Sequence, residues 1–106
     1  MKIEKQKIKV SGIKFLVLDG EKEIGRAFLY FMNNDLHKRP FGYIEDVFVA
    51  ESQRGKGVGT KLVQAMITEA EKKCYKIIMT SRYANTKVHK LYEKLGFKDW
   101  GKEFRK

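Results

Sequence analysis

The segment Gln53-Arg54-Gly55-Lys56-Gly57-Val58-Gly59-Thr60 places glycines at three alternate positions, with Arg54 and Lys56 interleaved, just before an apolar-periodic stretch begins. Glycine lets the main chain take positive φ and come close to a ligand, so such a loop exposes backbone N–H groups. A helix starting here adds the positive end of its dipole, and the guest that suits both features is a phosphate or pyrophosphate. Arg54 and Lys56 either add charge-assisted contacts or face solvent. A Walker loop needs Gly-Lys-Ser/Thr after four intervening positions, and the dinucleotide fingerprint needs Gly-x-Gly-x-x-Gly after a strand; neither spacing is present. A flexible turn has the same composition, so the loop alone does not decide. Upstream stand two adjacent carboxylates, Glu45 and Asp46, and downstream an amide, Asn85, and a phenol, Tyr92.

The elements that must position these groups read from periodicity. Ile13, Phe15 and Val17 alternate with Lys14, Leu16 and Leu18 before the turn pair Asp19-Gly20, and the chain returns from Ile24 to Met32, which predicts a hairpin. Gly12 marks a bulge or bend. Asn33 to Pro40 is a loop, and Gly42 to Val49 a third strand that extends the hairpin to an antiparallel meander. Val58, Leu62, Met66, Ala70 and Cys74 recur at helical spacing, and Lys76 to Thr80 is apolar enough for a buried strand, so a parallel crossover joins the meander. Val88, Leu91, Tyr92 and Leu95 form a second helical stripe that Gly96 terminates. Phe97 to Phe104 reads as a last strand or hairpin. The expected fold is α+β: a mixed, mostly antiparallel sheet with a central parallel pair and two main helices, in a single domain over residues 1–106.

Composition bounds the function. The chain has 106 residues, 42% hydrophobic and 34% charged, with charges spread along its length, which is globular rather than disordered composition. No apolar run approaches the roughly 20 residues that span a bilayer, and Met1-Lys2-Ile3-Glu4-Lys5 alternates charge where a signal peptide has an apolar block. The expectation is a cytoplasmic protein without membrane association. One cysteine, Cys74, and two histidines, His37 and His89, give neither a disulfide nor a zinc spacing, so no metal is expected. Cys74 lies on the buried helical stripe with no histidine at a revealing spacing, which argues against covalent catalysis, and both histidines read as surface residues. The net charge of +10 attracts polyanions or keeps a small domain in solution.

Arg54-x-x-Gly57-x-Gly59, after a Val-Phe-Val strand end, resembles motif A of the GNAT acetyltransferase superfamily. Asn85-x-x-Val88-x-x-Leu91-Tyr92 followed by Leu95-Gly96-Phe97 resembles that superfamily's later motif, in which an asparagine leads a helix ending Tyr-x-x-x-Gly-Phe. The likeness covers Gly42 to Phe97, and the upstream hairpin fits the family's second and third strands. It departs from the pattern at Val88, where the family usually has alanine.

The resemblance implies acetyl-coenzyme A as co-substrate, a splayed parallel strand pair, and pantetheine pairing with the backbone of Val47, Phe48 and Val49 as an added strand. It places the pyrophosphate on the amides of Arg54, Gly55, Lys56, Gly57, Val58, Gly59 and Thr60. Asn85 corresponds to a cofactor-binding asparagine, although a helix N-cap uses the same residue. Tyr92 corresponds to the general acid for the departing thiolate, although it also sits on an apolar stripe. A backbone N–H near Val47 to Val49 would polarise the acetyl carbonyl. Glu45 and Asp46 are the candidate bases; strand periodicity points them to opposite faces, and the resemblance favours Glu45, with Asp46 as a structural or orienting partner.

The acceptor implied is a primary amine, on a small molecule or as a lysine or N-terminal amine. Typical members carry helices before the second strand that wall the acceptor site; no helical pattern precedes Asp19-Gly20 here, so the cleft is expected to be open unless a second subunit covers it, which predicts a homodimer. Two other readings stand. A non-catalytic coenzyme A sensor needs neither Tyr92 nor Glu45, and a basic nucleic-acid-associated module has charge in its favour but no recognisable motif.

Overall fold

A computed structural model describes residues 1–106. Strand β1 (Ser11–Asp19) turns at Gly20 into β2 (Lys22–Met32), and Gly20 holds φ 63 where a two-residue hairpin loop requires a positive value. β3 (Phe41–Val49) continues the antiparallel meander; α1 (Val58–Glu71) then crosses to β4 (Ile77–Met79), which pairs in parallel with β3. Helix α2 (Thr86–Lys94) follows. The sheet order β1-β2-β3-β4 is the mixed sheet read from the sequence.

One layer of core forms where α1 lies on the sheet. Ala27, Leu29 and Phe31 of β2 and Ile44 of β3 meet Leu62, Met66 and Ala70 of α1, with Cys74 buried just past the helix end. Gly42 permits the close approach: a Cβ there would stand 3.3 Å from both Cys74 Sγ and Leu29 Cδ1 and 3.5 Å from Ala70 Cβ. Helix and strand backbones hold those neighbours in place, so Gly42→Val should overpack the contact and cost about 1–3 kcal/mol. A thermal melt should show this as a midpoint lowered by at least roughly 5 °C.

The other face of the sheet carries no layer. The register sets its side chains in rows across β1, β2 and β3: Leu16–Arg26–Phe48 nearest the glycine loop, then Lys14–Phe28–Glu45, then Gly12–Tyr30–Tyr43. Leu16 is 50% exposed and Phe48 40%.

Three expectations are corrected. Gly12 stays in regular register opposite Tyr30; the β1 irregularity lies at Val17/Leu18, and Gly12 is needed because a Cβ would stand 3.0 Å from Leu29 O and 3.1 Å from the Tyr30 ring. β4 is a short, half-exposed strand rather than a buried one, Ile78 being 40% exposed on the open face. Phe97 to Phe104 forms neither strand nor hairpin: a strand needs a hydrogen-bonded ladder, residues 98–104 make no backbone hydrogen bond, and Trp100 and Phe104 stand in solvent.

Candidate active site

The site begins with an irregularity in β3. Phe28 pairs with Glu45 and Arg26 with Phe48, so Asp46 and Val47 together oppose the single residue Ala27. This is a bulge, and Asp46 carries it at φ 53, a left-handed conformation that aspartate tolerates better than most residues. The period-two rule fails here. Gly42 and Ile44 face the core, but beyond the bulge Val47 turns to the core in place of Asp46, and Asp46 is exposed. Glu45 sits half-buried on the open face in the row with Phe28 and Lys14. The expected opposition of Glu45 and Asp46 across the sheet is therefore replaced by a carboxylate on the open face and a carboxylate on a bulge.

The same bulge opens the sheet. β3 pairs with β4 only through Gly42, Tyr43 and Ile44, and from Glu45 onward its β4-side edge has no strand partner. Val47, Phe48 and Val49 thus offer unpaired backbone along a widening gap. Val49 is partly engaged, since Arg54 Nε donates to its carbonyl at 3.0 Å. Arg54 thereby ties the glycine loop to the strand end, a role its charge alone did not reveal.

After one 3-10 turn at Glu51–Gln53 the chain reaches the loop. Gly55 and Gly57 hold φ 80 and 81, and nothing lies within 4 Å of where their Cβ atoms would be, so the backbone there borders open space. Gly57 is the N-cap of α1 and supplies no side chain to it; the first intrahelical bond is Lys61 N–H to Gly57 O at 3.1 Å. The N–H groups of Val58, Gly59 and Thr60 are left without intrahelical acceptors at the positive end of a 14-residue helix. Lys56 and Lys61 are exposed beside them. These groups fit an anion of the size and charge of a diphosphate.

Asn85 occupies the N-cap of α2, yet its side chain makes no capping bond, which leaves the amide free. One turn on, His89 is half-buried and shares a hydrogen bond with Ser81 Oγ at 3.2 Å, tying α2 to the chain just past β4. Sequence reading placed His89 on the surface; only the return of α2 beside Ser81 makes the contact, so no local pattern could have signalled it.

Tyr92 follows on the same helix, half-buried, its ring edge-on to Phe97 at 6.1 Å. A Schellman turn fixes that pair: Gly96, at φ 97, donates to Glu93 O and Phe97 N–H to Tyr92 O, each at 3.0 Å. Phe97 packs on the main core, so the phenol is held to the body of the protein. Burial pushes the Tyr92 phenol above its ordinary value of 10.0, which keeps it protonated, and able to donate, throughout the neutral range. A group whose folded value is raised stabilises the fold fully below its unfolded value, and that contribution is lost as pH climbs through the folded one. In a titration followed at 295 nm, Tyr92→Phe should accordingly remove one ionisation step, lying above pH 10.0.

Cys74 takes no part. Burial raises its thiol, against a smaller lowering by Lys73 and Arg39. The groove that Cys74 lines with Ile67, Ile77, Leu95 and Phe97 lies at the far end of α1 from the glycine loop and contains none of the candidate residues.

Comparison with known proteins bears on the family and the fold. The profile of the acetyltransferase (GNAT) family matches residues 3–97. N-alpha-acetyltransferase 30 of Xenopus laevis is 36% identical over 86 residues, which are 78% of this chain and 30% of that protein. Glucosamine 6-phosphate N-acetyltransferase of Candida albicans is 43% identical over 63 residues, 58% of this chain and 40% of that one. The chain thus spans less than half the length of these curated relatives. Among solved structures, a putative acetyltransferase from Agrobacterium tumefaciens superposes with a TM-score of 0.79 at 30% identity, covering 90% of this chain and 69% of its own. A splayed strand pair, a glycine loop opening a helix, and a profile match across residues 3–97 lead to one conclusion: the chain belongs to the acetyltransferase (GNAT) family.

Proposed function

We propose that this protein transfers the acetyl group of acetyl-coenzyme A to a primary amine by direct attack, both substrates being bound together. The observation that carries the reading is the meeting of unpaired β3 backbone at Val47 to Val49 with the uncapped N–H groups of Val58, Gly59 and Thr60. One edge suits an amide-bearing arm and the other a diphosphate, and the two are joined by the Arg54 anchor.

When bound, acetyl-coenzyme A supplies an acetyl carbonyl whose C–S bond breaks as the amine's N–C bond forms. The residues manage the protons and the charge. The amine proton passes to a carboxylate, Glu45 in the first instance, directly or through water, with Asp46 orienting the acceptor. A β3 N–H in the Val47 to Val49 stretch stabilises the developing oxyanion, and Tyr92 gives its phenolic proton to the departing thiolate. Asn85, its amide uncommitted, hydrogen-bonds the bound cofactor.

The acceptor approaches over the open face, where Arg26 and Lys14 stand with Glu45. The two curated relatives act on an N-terminal amine and on a phosphorylated amino sugar, according to their names. This mixture of cations with one carboxylate suits an acceptor carrying an anionic group near its amine better than a polycation. The working unit in this reading is a homodimer.

Calorimetric titration with acetyl-coenzyme A, followed by thiol release with peptides, polyamines and amino-sugar phosphates, tests the proposal. Binding with amine-dependent release supports it and begins to name the acceptor. Tight binding with no release across the panel supports a sensor instead, and absence of binding removes the assignment of the glycine loop.

A further inference from the structure

We propose that the outer side of α2 binds a single-stranded nucleic acid, with phosphates along Lys87, Lys90 and Lys94 and bases against Tyr83 and Trp100. This surface is separate from the acetyl-transfer site and does not rest on that reading.

The net charge of +10 is unevenly placed. Residues 11–32, which hold the hairpin, set Lys14, Lys22 and Arg26 against Asp19, Glu21 and Glu23. Residues 42–68, from β3 through the glycine loop and most of α1, set Arg54, Lys56 and Lys61 against Glu45, Asp46 and Glu51. Both stretches are neutral. Residues 81–106 hold eight lysines and arginines against three carboxylates, Glu93, Asp99 and Glu103, and so carry half of the excess. A cationic field that the strands and the glycine loop do not produce is left without a use in the transfer chemistry, and a polyanion is the partner it attracts.

Helix α2 orders that charge. At roughly 100° per residue, Lys87, Lys90 and Lys94 fall within about 60° of one another. All three are exposed, and none enters an ion pair. Glu93, the one carboxylate of the helix, stands roughly 90° round from the middle of this stripe. Asn85 and Tyr92 lie roughly 170° from it, so the lysines are on the side of α2 turned away from the reacting groups. From Lys87 to Lys94 the helix rises about 10 Å, the run of roughly three phosphates in a stacked strand.

An exposed aromatic ring stands beyond each end of the stripe. Tyr83, 81% exposed, sits on the turn before the helix, where Asn85 N–H donates to Arg82 O at 3.0 Å. Trp100, 94% exposed, follows Phe97, which packs on the core. Lys98 lies between Trp100 and the helix end. Past Lys94 the chain lines a groove with Leu95 and Gly96, whose other wall carries Tyr75 and Lys76, with Glu71 its one carboxylate. Tyr75 is backed by His37 at 4.3 Å, and Lys76 Nζ stands 5.4 Å from the Tyr75 ring. The cationic and aromatic track therefore continues across the groove to the end of α1.

This combination selects among polyanions. Cations that track a backbone, interleaved with free ring faces, are what unpaired bases use, because every base has a face that stacks. A duplex keeps its bases stacked on one another and leaves Tyr83 and Trp100 without a role. A bilayer calls for an apolar stripe beside the lysines, but Val88, Leu91 and Leu95 of this helix are half-buried against the protein.

The full chain is titrated into a labelled oligouridine of about 12 nucleotides, followed by fluorescence anisotropy. At about 50 mM salt the Kd should be roughly 1–100 µM, with a salt slope of about 3 or steeper. The emission of Trp100, the single tryptophan, should be quenched in the same titration. Lys87→Gln/Lys90→Gln/Lys94→Gln should weaken binding at least roughly tenfold and lower the slope by about 2, at 0.7 per lost phosphate contact. Lys14→Gln/Lys22→Gln/Lys56→Gln removes the same charge elsewhere and should cost less than about threefold. Tyr83→Ala/Trp100→Ala should weaken binding by roughly tenfold. Circular dichroism checks that each variant is folded. Absence of binding, binding that leaves Trp100 unquenched, a control triple as weak as the α2 triple, or tighter binding of a duplex or of anionic vesicles overturns the proposal. So does displacement of the strand by saturating acetyl-coenzyme A, which would seat it on the glycine loop. Strand binding by a chain that fails to bind acetyl-coenzyme A supports this surface and defeats the transferase reading, and thiol release by a chain that ignores the strand does the reverse.

Discussion

Gly59→Ala is expected to leave the melting midpoint unchanged or raised by about 2–4 °C while weakening acetyl-coenzyme A binding by at least roughly tenfold. The contrast arises because the protein itself makes no demand for glycine at this position. Gly59 is the second residue of α1 with ordinary helical φ, and an added Cβ would touch only Val49 Cγ2, at 3.6 Å. Alanine is the better helix former. If glycine is needed here, what needs it is a ligand that comes up against the free N–H groups of Val58, Gly59 and Thr60. Gly57 cannot make the same distinction. It sits at φ 81, where any side chain is strained by about 1–2 kcal/mol, so Gly57→Ala disturbs fold and binding together. Melting and calorimetry on the Gly59→Ala protein separate the two effects, and an alanine variant binding as tightly as wild type would falsify the seat proposed for the diphosphate.

The glycine loop was legible in the sequence because its causes are local: Gly55 and Gly57 need positive φ, and the apolar stripe that starts at Val58 fixes where the helix begins. The hairpin turn at Gly20 and the helix stop at Gly96 were readable for the same reason. What escaped depended on contacts between distant residues. Nothing in Ile44-Glu45-Asp46-Val47 announces that Asp46 will leave the strand conformation, because the bulge answers to Ala27 on the neighbouring strand, and with it went the rule that sets Glu45 and Asp46 on opposite faces. Gly12 reads as a break in a strand, whereas its real constraint is the Tyr30 ring across the ladder. Phe97 to Phe104 carries a strand-like pattern, but pattern without backbone hydrogen bonds to a strand makes no ladder. The open face could have been anticipated further than it was. Phe15, Leu16, Val17 and Leu18 are apolar on both sides of β1, which is the composition of a sheet with something on each face.

Tyr92→Phe should lower kcat by about 10²–10³-fold, with melting midpoint and acetyl-coenzyme A affinity near wild type. The ring is what the fold uses: it stands edge-on to Phe97 at 6.1 Å, and phenylalanine keeps that contact. The hydroxyl forms no hydrogen bond within the protein, so removing it breaks nothing structural. What disappears is a proton. Because burial raises the phenol above 10.0, the wild-type protein holds that proton across the neutral range, and any alkaline decline in kcat due to Tyr92 belongs above pH 10.0. The variant should lack that decline. Loss of kcat with an unchanged cofactor affinity is the mark of an interaction made only as the C–S bond breaks. Wild-type kcat in the variant would instead make Tyr92 a packing residue of α2, with the thiolate leaving unassisted or taking its proton from water, and the chemistry would then rest on the β3 backbone and the carboxylates alone.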